Sequence, residues 1–324
     1  MGGVGLVLGA GGVVGQAYHA GVLAMLEHDY GWDPRTADVI VGTSAGAITG
    51  SLLRVGIPAS ELAAWTVRAP LSTEGQLLNE LVGTEVPELD PLRPLHMVRR
   101  LPAPPGWGVV RHAVTRPTRF RPLVAGIARL APGQRDIAEQ LGMLRKVEGH
   151  SWPARDLWIC TVRRDDGRRV VFGRPGSADA PLHRAIAASC ALPGYFAPVR
   201  IGDHEYVDGG THSPTNAAVV WERDLELVIV ISPMSGRATV PTDIYGATRW
   251  RAARLARREV QALRDRGTSV VVFRPGHAEH EVMGNDLLAR GRIHEIVQQT
   301  FLSAGAYAAR PEVRGALAAY GARR

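Results

Sequence analysis

Val39-Ile40-Val41-Gly42-Thr43-Ser44-Ala45-Gly46 is a short β-branched run that ends in Gly-x-Ser-x-Gly and passes directly into a helix-compatible segment. It reads as a nucleophile elbow: a strand, a sharp turn with Ser44 at its apex, and a helix. Strand and helix meeting at so tight an angle force the apex residue into a strained backbone conformation and lift its side chain above the sheet. Gly42 and Gly46 fit because a Cβ at either position would collide where the two elements converge. Ser44 would then sit at a helix N-terminus, where orphan N–H groups and the helix dipole favour developing negative charge. A glycine-rich turn whose serine merely caps a helix has the same pattern, so the rest of the chain has to decide.

Upstream, Val4 to Leu8 has a buried-strand pattern, followed by Gly9-Ala10-Gly11-Gly12-Val13-Val14-Gly15 and an amphipathic helix expected from Gln16 to His28. A loop of this kind presents consecutive backbone N–H groups that can bind a phosphate or an oxyanion. Gly9, Gly11 and Gly15 approximate a dinucleotide fingerprint, but the next strand should then end in an acidic residue for the ribose, and it ends in Gly42-Thr43-Ser44. With an elbow so close behind, the loop reads as an oxyanion hole to which Gly11 and Gly12 supply N–H groups. His19, on the helix that follows, reads as a packing residue.

Downstream, helices are expected from Ala45 to Leu53 and over Pro58 to Trp65. Residues 70–150 change character: prolines are dense, and Arg alternates with Leu, Val, Trp107 and Phe120. This segment reads as an insertion or cap over the active-site face, with helices at Pro122 to Leu130 and Gln134 to Lys146; the alternative is a helical excursion that completes the core. Strands follow at Leu157 to Val162, Arg169 to Phe172 and Leu227 to Ile231, with a small hairpin from Val199 to Val207 that ends in Asp208-Gly209-Gly210. Pro181 to Ser189 is helical in pattern, Asp243 to Arg266 forms a long arginine-rich helix, Val270 to Phe273 a further strand, and Asn285 to Tyr320 a helical remainder. Buried strands alternating with helices indicate an α/β fold with three layers, α/β/α, around a mostly parallel central sheet. No linker stands out, so residues 1–324 are expected to form one domain: a motif-bearing core over 4–216, the cap over 70–150 and a strand-helix portion over 217–324.

The formal net charge is +7 and Lys146 is the only lysine, so nearly all positive charge is Arg. That balance permits peripheral contact with an anionic membrane, although coding bias gives the same composition. No nucleic-acid recognition motif is present, and no nucleic acid is expected. Cys160 and Cys190 show no disulfide or zinc spacing and read as small core residues. His277 and His280 lack further ligands and are expected on an exposed loop, so no metal and no cofactor are expected. The apolar N-terminus lacks a basic n-region, Leu6 spoils a myristoylation match, and no apolar run is long enough to cross a membrane. A cytoplasmic protein with at most peripheral membrane contact is expected.

Together, the glycine loop (Gly9, Gly11, Gly12, Gly15), the elbow (Gly42, Ser44, Gly46) and Asp208-Gly209-Gly210 resemble the patatin-like phospholipases. Ala20-Gly21-Val22-Leu23 and Ala188-Ser189-Cys190-Ala191-Leu192-Pro193-Gly194-Tyr195-Phe196 add to the similarity, which covers roughly residues 4–216. The resemblance implies a patatin-like fold and a serine hydrolase that cleaves lipid acyl esters through an acyl-enzyme without a histidine. It implies Ser44 as nucleophile, Asp208 as base, and Gly11, Gly12 and Val13 as the oxyanion hole. The family usually carries Arg or Lys where this chain has Val14, which makes a neutral acyl glycerol or short ester more plausible as substrate. Acyl transfer on the same dyad, a Ser-His-Asp triad through His212, and a silent lipid-binding module are the competing readings. A malonyl-transferase type is disfavoured by Thr43, where a His would precede the serine.

Overall fold

The computed structural model describes residues 2–82, 107–117, 120–137, 152–236 and 244–321. Its centre is built from β-branched apolar runs: β1 (Gly3–Leu8), β2 (Val39–Gly42), β3 (Asp156–Arg163), β7 (Leu225–Ile231) and β8 (Ser269–Phe273). They pair in parallel in the order β3-β2-β1-β7-β8. Strands buried on both faces read as continuous apolar runs, and successive side chains divide between the faces. Leu6, Leu8, Ile40 and Ile159 face one helical layer, while Val7, Val39, Val41 and Cys160 face the other.

The first layer holds α1 (Gly12–Tyr30), α2 (Ala45–Val55) and, further along the chain, α7 (Leu182–Cys190). The other face is covered by α8 (Ile244–Arg264) and a short 3-10 turn over Ala217–Val220. This is the expected α/β/α arrangement with a mostly parallel sheet.

The antiparallel part is β4 (Arg169–Phe172), β5 (Val199–Ile201) and β6 (His204–Asp208). Ile159 pairs with both Gly42 of β2 and Phe172 of β4, while Thr161 and Val162 pair with both β4 and β6. A strand has only two edges. So β4 occupies one edge of β3, and β2 and β6 share the other, meeting end to end.

Several expectations need correction. α1 is longer than expected and is buried nearly all round, not amphipathic, because α3 (Ala59–Thr66), α2 and α10 (Ile293–Ala308) enclose it from the outside. His277 and His280 lie on a helix, α9 (His277–Met283), not a loop: the Glu279 carboxylate accepts from the Gly276 N–H at 3.0 Å and caps it. The helical remainder is two helices, α10 and α11 (Pro311–Gly321), and residues 285–292 instead cross over the glycine loop.

In the segment read as a cap, α4 (Thr73–Val82), α5 (Trp107–Thr115) and α6 (Pro122–Ala128) are described; the expected helix from Gln134 to Lys146 falls mostly outside the described residues. Val124 and Ala128 of α6 pack on Val162 and Val207. α5 lies against the β3–β4 turn, where His112 Nδ1 meets the Asp166 carbonyl at 2.9 Å.

Candidate active site

The elbow is built as its glycines predict. Ser44 has φ 54 and ψ −118, a conformation that L side chains rarely adopt, at the junction of β2 and α2. A Cβ on Gly46 would stand 1.9 Å from the Leu8 carbonyl oxygen, and one on Gly42 would stand 2.6 Å from the Gly46 carbonyl oxygen. Only bare backbone lets α2 leave β2 at this angle. The Ser44 N–H donates to Ser189 Oγ at 2.9 Å, and that hydroxyl donates to the Cys160 carbonyl at 2.7 Å.

β6 brings Asp208 to the same place. Gly42 ends β2 opposite Ile159, and Asp208 ends β6 opposite Thr161, two residues further along the same edge of β3. The chain then turns closely over β3: a Cβ on Gly209 would lie 2.2 Å from the Cys160 carbonyl oxygen. Asp208 is 4 % exposed, and burial raises its carboxyl from 3.8 to about 6, against the opposing effects of the Gly210 N–H and the Ser44 hydroxyl. The Gly210 N–H donates to Asp208 Oδ1 at 2.7 Å. Cys190, at the end of α7, also lies against the Ser44 hydroxyl, and its thiol is raised by burial and by the nearby carboxylate.

The glycine loop joins β1 to α1 beside the elbow. Gly9 N–H donates to the Ile231 carbonyl at 2.9 Å, Ala10 N–H to Pro214 at 2.7 Å, Val14 N–H to Leu287 at 3.1 Å and Gly15 N–H to Gly11 at 2.8 Å. Among the described residues no acceptor takes the N–H groups of Gly11, Gly12, Val13 or Ala45. Gly12 has φ 62, and a Cβ there would meet the Leu287 carbonyl oxygen at 2.5 Å, so Leu287 fixes the loop from outside. Val14 is fully buried in the core, so this position presents no cation to the site.

His212 is not joined to Ser44 or Asp208. It hydrogen-bonds Asn216, its Nδ1 has no partner, and burial together with the guanidiniums of Arg169, Arg121 and Arg251 holds it well below its ordinary pKa. His19 is fully buried beneath the loop, with Nδ1 3.3 Å from Thr49 Oγ1, and burial lowers it to about 3. Neither imidazole faces Asp208 as a triad member would. His277 is exposed, His280 is lowered to about 4 by burial, and no group of three or more metal-type ligands occurs among the described residues.

A family model described as patatin-like phospholipase matches residues 6–221, two thirds of the chain. The chain belongs to the patatin-like phospholipase family. As a member of it, the protein is an enzyme, a lipid acyl hydrolase. Among solved structures it is similar to VipD from Legionella pneumophila, at 13% identity and TM-score 0.41, covering 94% of this chain and 67% of that one. It is also similar to the type III effector ExoU, at 19% identity and TM-score 0.29, covering 92% of this chain and 53% of that one. This chain therefore spans about two thirds of VipD and about half of ExoU. No curated protein sequence matches it.

The network behind the elbow of this patatin-like chain has no signature in the sequence. Asn216, at φ 53, donates from Nδ2 to Thr43 Oγ1 at 3.1 Å and to the Ser213 carbonyl at 2.6 Å, and accepts from Arg169 at 3.2 Å. Glu259 of α8 is buried and accepts from the Ala217 N–H at 2.9 Å. Arg251 donates to the Thr211 carbonyl at 3.1 Å. The loop that follows the aspartate is therefore held from β4 and α8, and no motif marks those residues. Ser189 lies in the stretch from Ala188 to Phe196 that resembles the family, but its bond to Ser44 carries no sequence signal.

Proposed function

We propose that this enzyme hydrolyses lipid acyl esters by a Ser44–Asp208 dyad. The observation that carries the reading is a buried carboxyl, raised to about 6, that interacts with the hydroxyl at the apex of the elbow. An ordinary carboxylate is a weak base for a serine hydroxyl; desolvation makes Asp208 a stronger one that is still ionised at neutral pH. Asp208 takes the Ser44 proton as Oγ attacks the acyl carbonyl. The N–H groups of Gly11, Gly12 and Val13 receive the oxyanion at the positive end of α1. The proton passes from Asp208 to the departing alcohol, and water, activated by the same carboxylate, then releases the acyl group from Ser44. No cofactor or metal is called for.

A fluorophosphonate probe tests this directly. Labelling is expected in the parent, absent in Ser44→Ala, and strongly reduced in Asp208→Ala. Folded parent protein that takes no label would overturn the proposal and favour a lipid-binding module.

The reading includes a single catalytic unit over residues 1–324 that works at a membrane surface, with residues 70–150 as its lipid-facing cap. On α5 and α6, Trp107 is 86% exposed, Val114 74% and Leu123 60%, beside the exposed Arg111 and Arg116. Exposed Trp and Arg together suit the interface of an anionic bilayer. No described helix is long and apolar enough to cross a membrane. Trp107→Ala with Val114→Ser is expected to weaken sedimentation with anionic vesicles about tenfold or more, given ~1.5–3 kcal/mol for burying such a side chain. Hydrolysis of a soluble short-chain ester should stay unchanged. Equal vesicle binding by both proteins would refute the contact.

A further inference from the structure

A cavity of about 800 Å3 lies at the β8 edge of the sheet, between α8 and α10, and neither Ser44 nor Asp208 lines it. Four guanidiniums border it: Arg257 and Arg264 from α8, Arg274 just after β8, and Arg310 just after α10. Tyr18 of α1, otherwise buried, also lines it. Arg264 donates to the Val270 carbonyl at 2.9 Å, and Arg310 lies over the Tyr307 ring at 5.3 Å. Among the described residues, none of the four has a carboxylate at ion-pair distance. The acid in the wall, Glu279, is turned to the Gly276 N–H.

Four exposed guanidiniums from three segments border one volume, and among the described residues its wall offers no carboxylate at ion-pair distance from them. Guanidinium forks match phosphate oxygens in charge and shape, and a cavity of roughly 300–1,000 Å3 suits a small-molecule ligand. We propose that this cavity binds a phosphate-rich anion, either free in solution or carried on a lipid headgroup. The inference is independent of the dyad, and its test reads binding, not turnover.

The intact chain is titrated calorimetrically with inorganic tripolyphosphate and separately sedimented with phosphatidylcholine vesicles with and without phosphatidic acid. Saturable one-to-one binding of tripolyphosphate is expected, weakened at least about tenfold in Arg257→Gln/Arg274→Gln, which removes two charge-assisted contacts. Arg254→Gln/Arg266→Gln removes the same charge from residues outside the cavity and should bind like the parent. Sedimentation with phosphatidic acid vesicles that tripolyphosphate displaces assigns a lipid headgroup; tripolyphosphate binding without sedimentation assigns a free anion. Two results overturn the site: no saturable binding by folded parent, or equal weakening in both double variants.

Discussion

Asp208→Asn protein is expected to lose ester hydrolysis by a factor on the order of 10⁴, the scale found when the catalytic base or the carboxylate that orients it is removed from a serine hydrolase. It is also expected to be more stable than the parent at neutral pH. Both effects come from the same burial. Folding raises the Asp208 carboxyl from 3.8 to about 6, so the folded state binds more protons than the unfolded state between those values. Stability therefore falls as pH rises through that window, and the ionised carboxylate costs on the order of 3 kcal/mol by neutral pH. Asn is isosteric, stays neutral and keeps an oxygen for the Gly210 N–H, so it removes the cost but cannot take the Ser44 proton. Thermal melts of both proteins from pH 4 to 8 should show the variant's advantage growing up to about pH 6 and then levelling off. In the parent, kcat/KM should rise with pH through the same region. A variant that gains nothing in stability between pH 4 and 7 would mean that Asp208 is not desolvated, and the proposed source of its basicity would be lost.

Gly46→Ala should be the most damaging small substitution at the elbow. Its Cβ would stand 1.9 Å from the Leu8 carbonyl oxygen and 2.4 Å from the carbonyl carbon, both backbone atoms of a central strand. No side-chain rotamer can relieve that clash. α2 must move off β1, which pulls Ser44 away from Asp208 and loosens fully buried contacts such as Leu53 against the sheet. A loss of about 3 kcal/mol or more is expected, at or beyond the upper end of ordinary overpacking. Urea unfolding measures it directly. Hydrolysis at low temperature, where the variant still folds, should remain depressed because the elbow is displaced. Parent-like stability would show that helix and strand are not in backbone contact at this point.

What could be read from the sequence is local. Gly42 is required by atoms of Gly46 and Ala47, a few residues away, so the motif carries its own steric reason. The same holds for the open N–H groups of Gly11, Gly12 and Val13, which follow from a glycine loop opening a helix. Apolar runs located the strands of the parallel sheet because both faces of each are buried. α1 was legible as a helix but not in its surroundings: Gly21 allows α10 so close that a Cβ there would meet the Val297 carbonyl oxygen at 2.7 Å, and that partner lies far along the chain. His277 and His280 were misplaced because the cap of α9 comes from Glu279, a single side chain with many competing roles.

The remainder was decided by tertiary structure. Residue types and short spacings specified the elbow with Ser44 at its apex, the glycine loop and the strands; Asp208 was singled out only by the resemblance to the patatin-like phospholipases. Only the folded sheet set Ser44 beside Asp208, because β2 and β6 share one edge of β3 end to end, a pairing between strands far apart in sequence. Only burial raised the Asp208 carboxyl, since desolvation depends on every group that excludes water from it. Arg169 from β4 and Glu259 from α8 hold the loop after Asp208 through Asn216 and Ala217, two segments far from it in sequence, and the arginines around the β8 cavity converge in the same way. A chain's local pattern fixes which backbone each short segment adopts; distances and dielectric surroundings arise only when those segments pack.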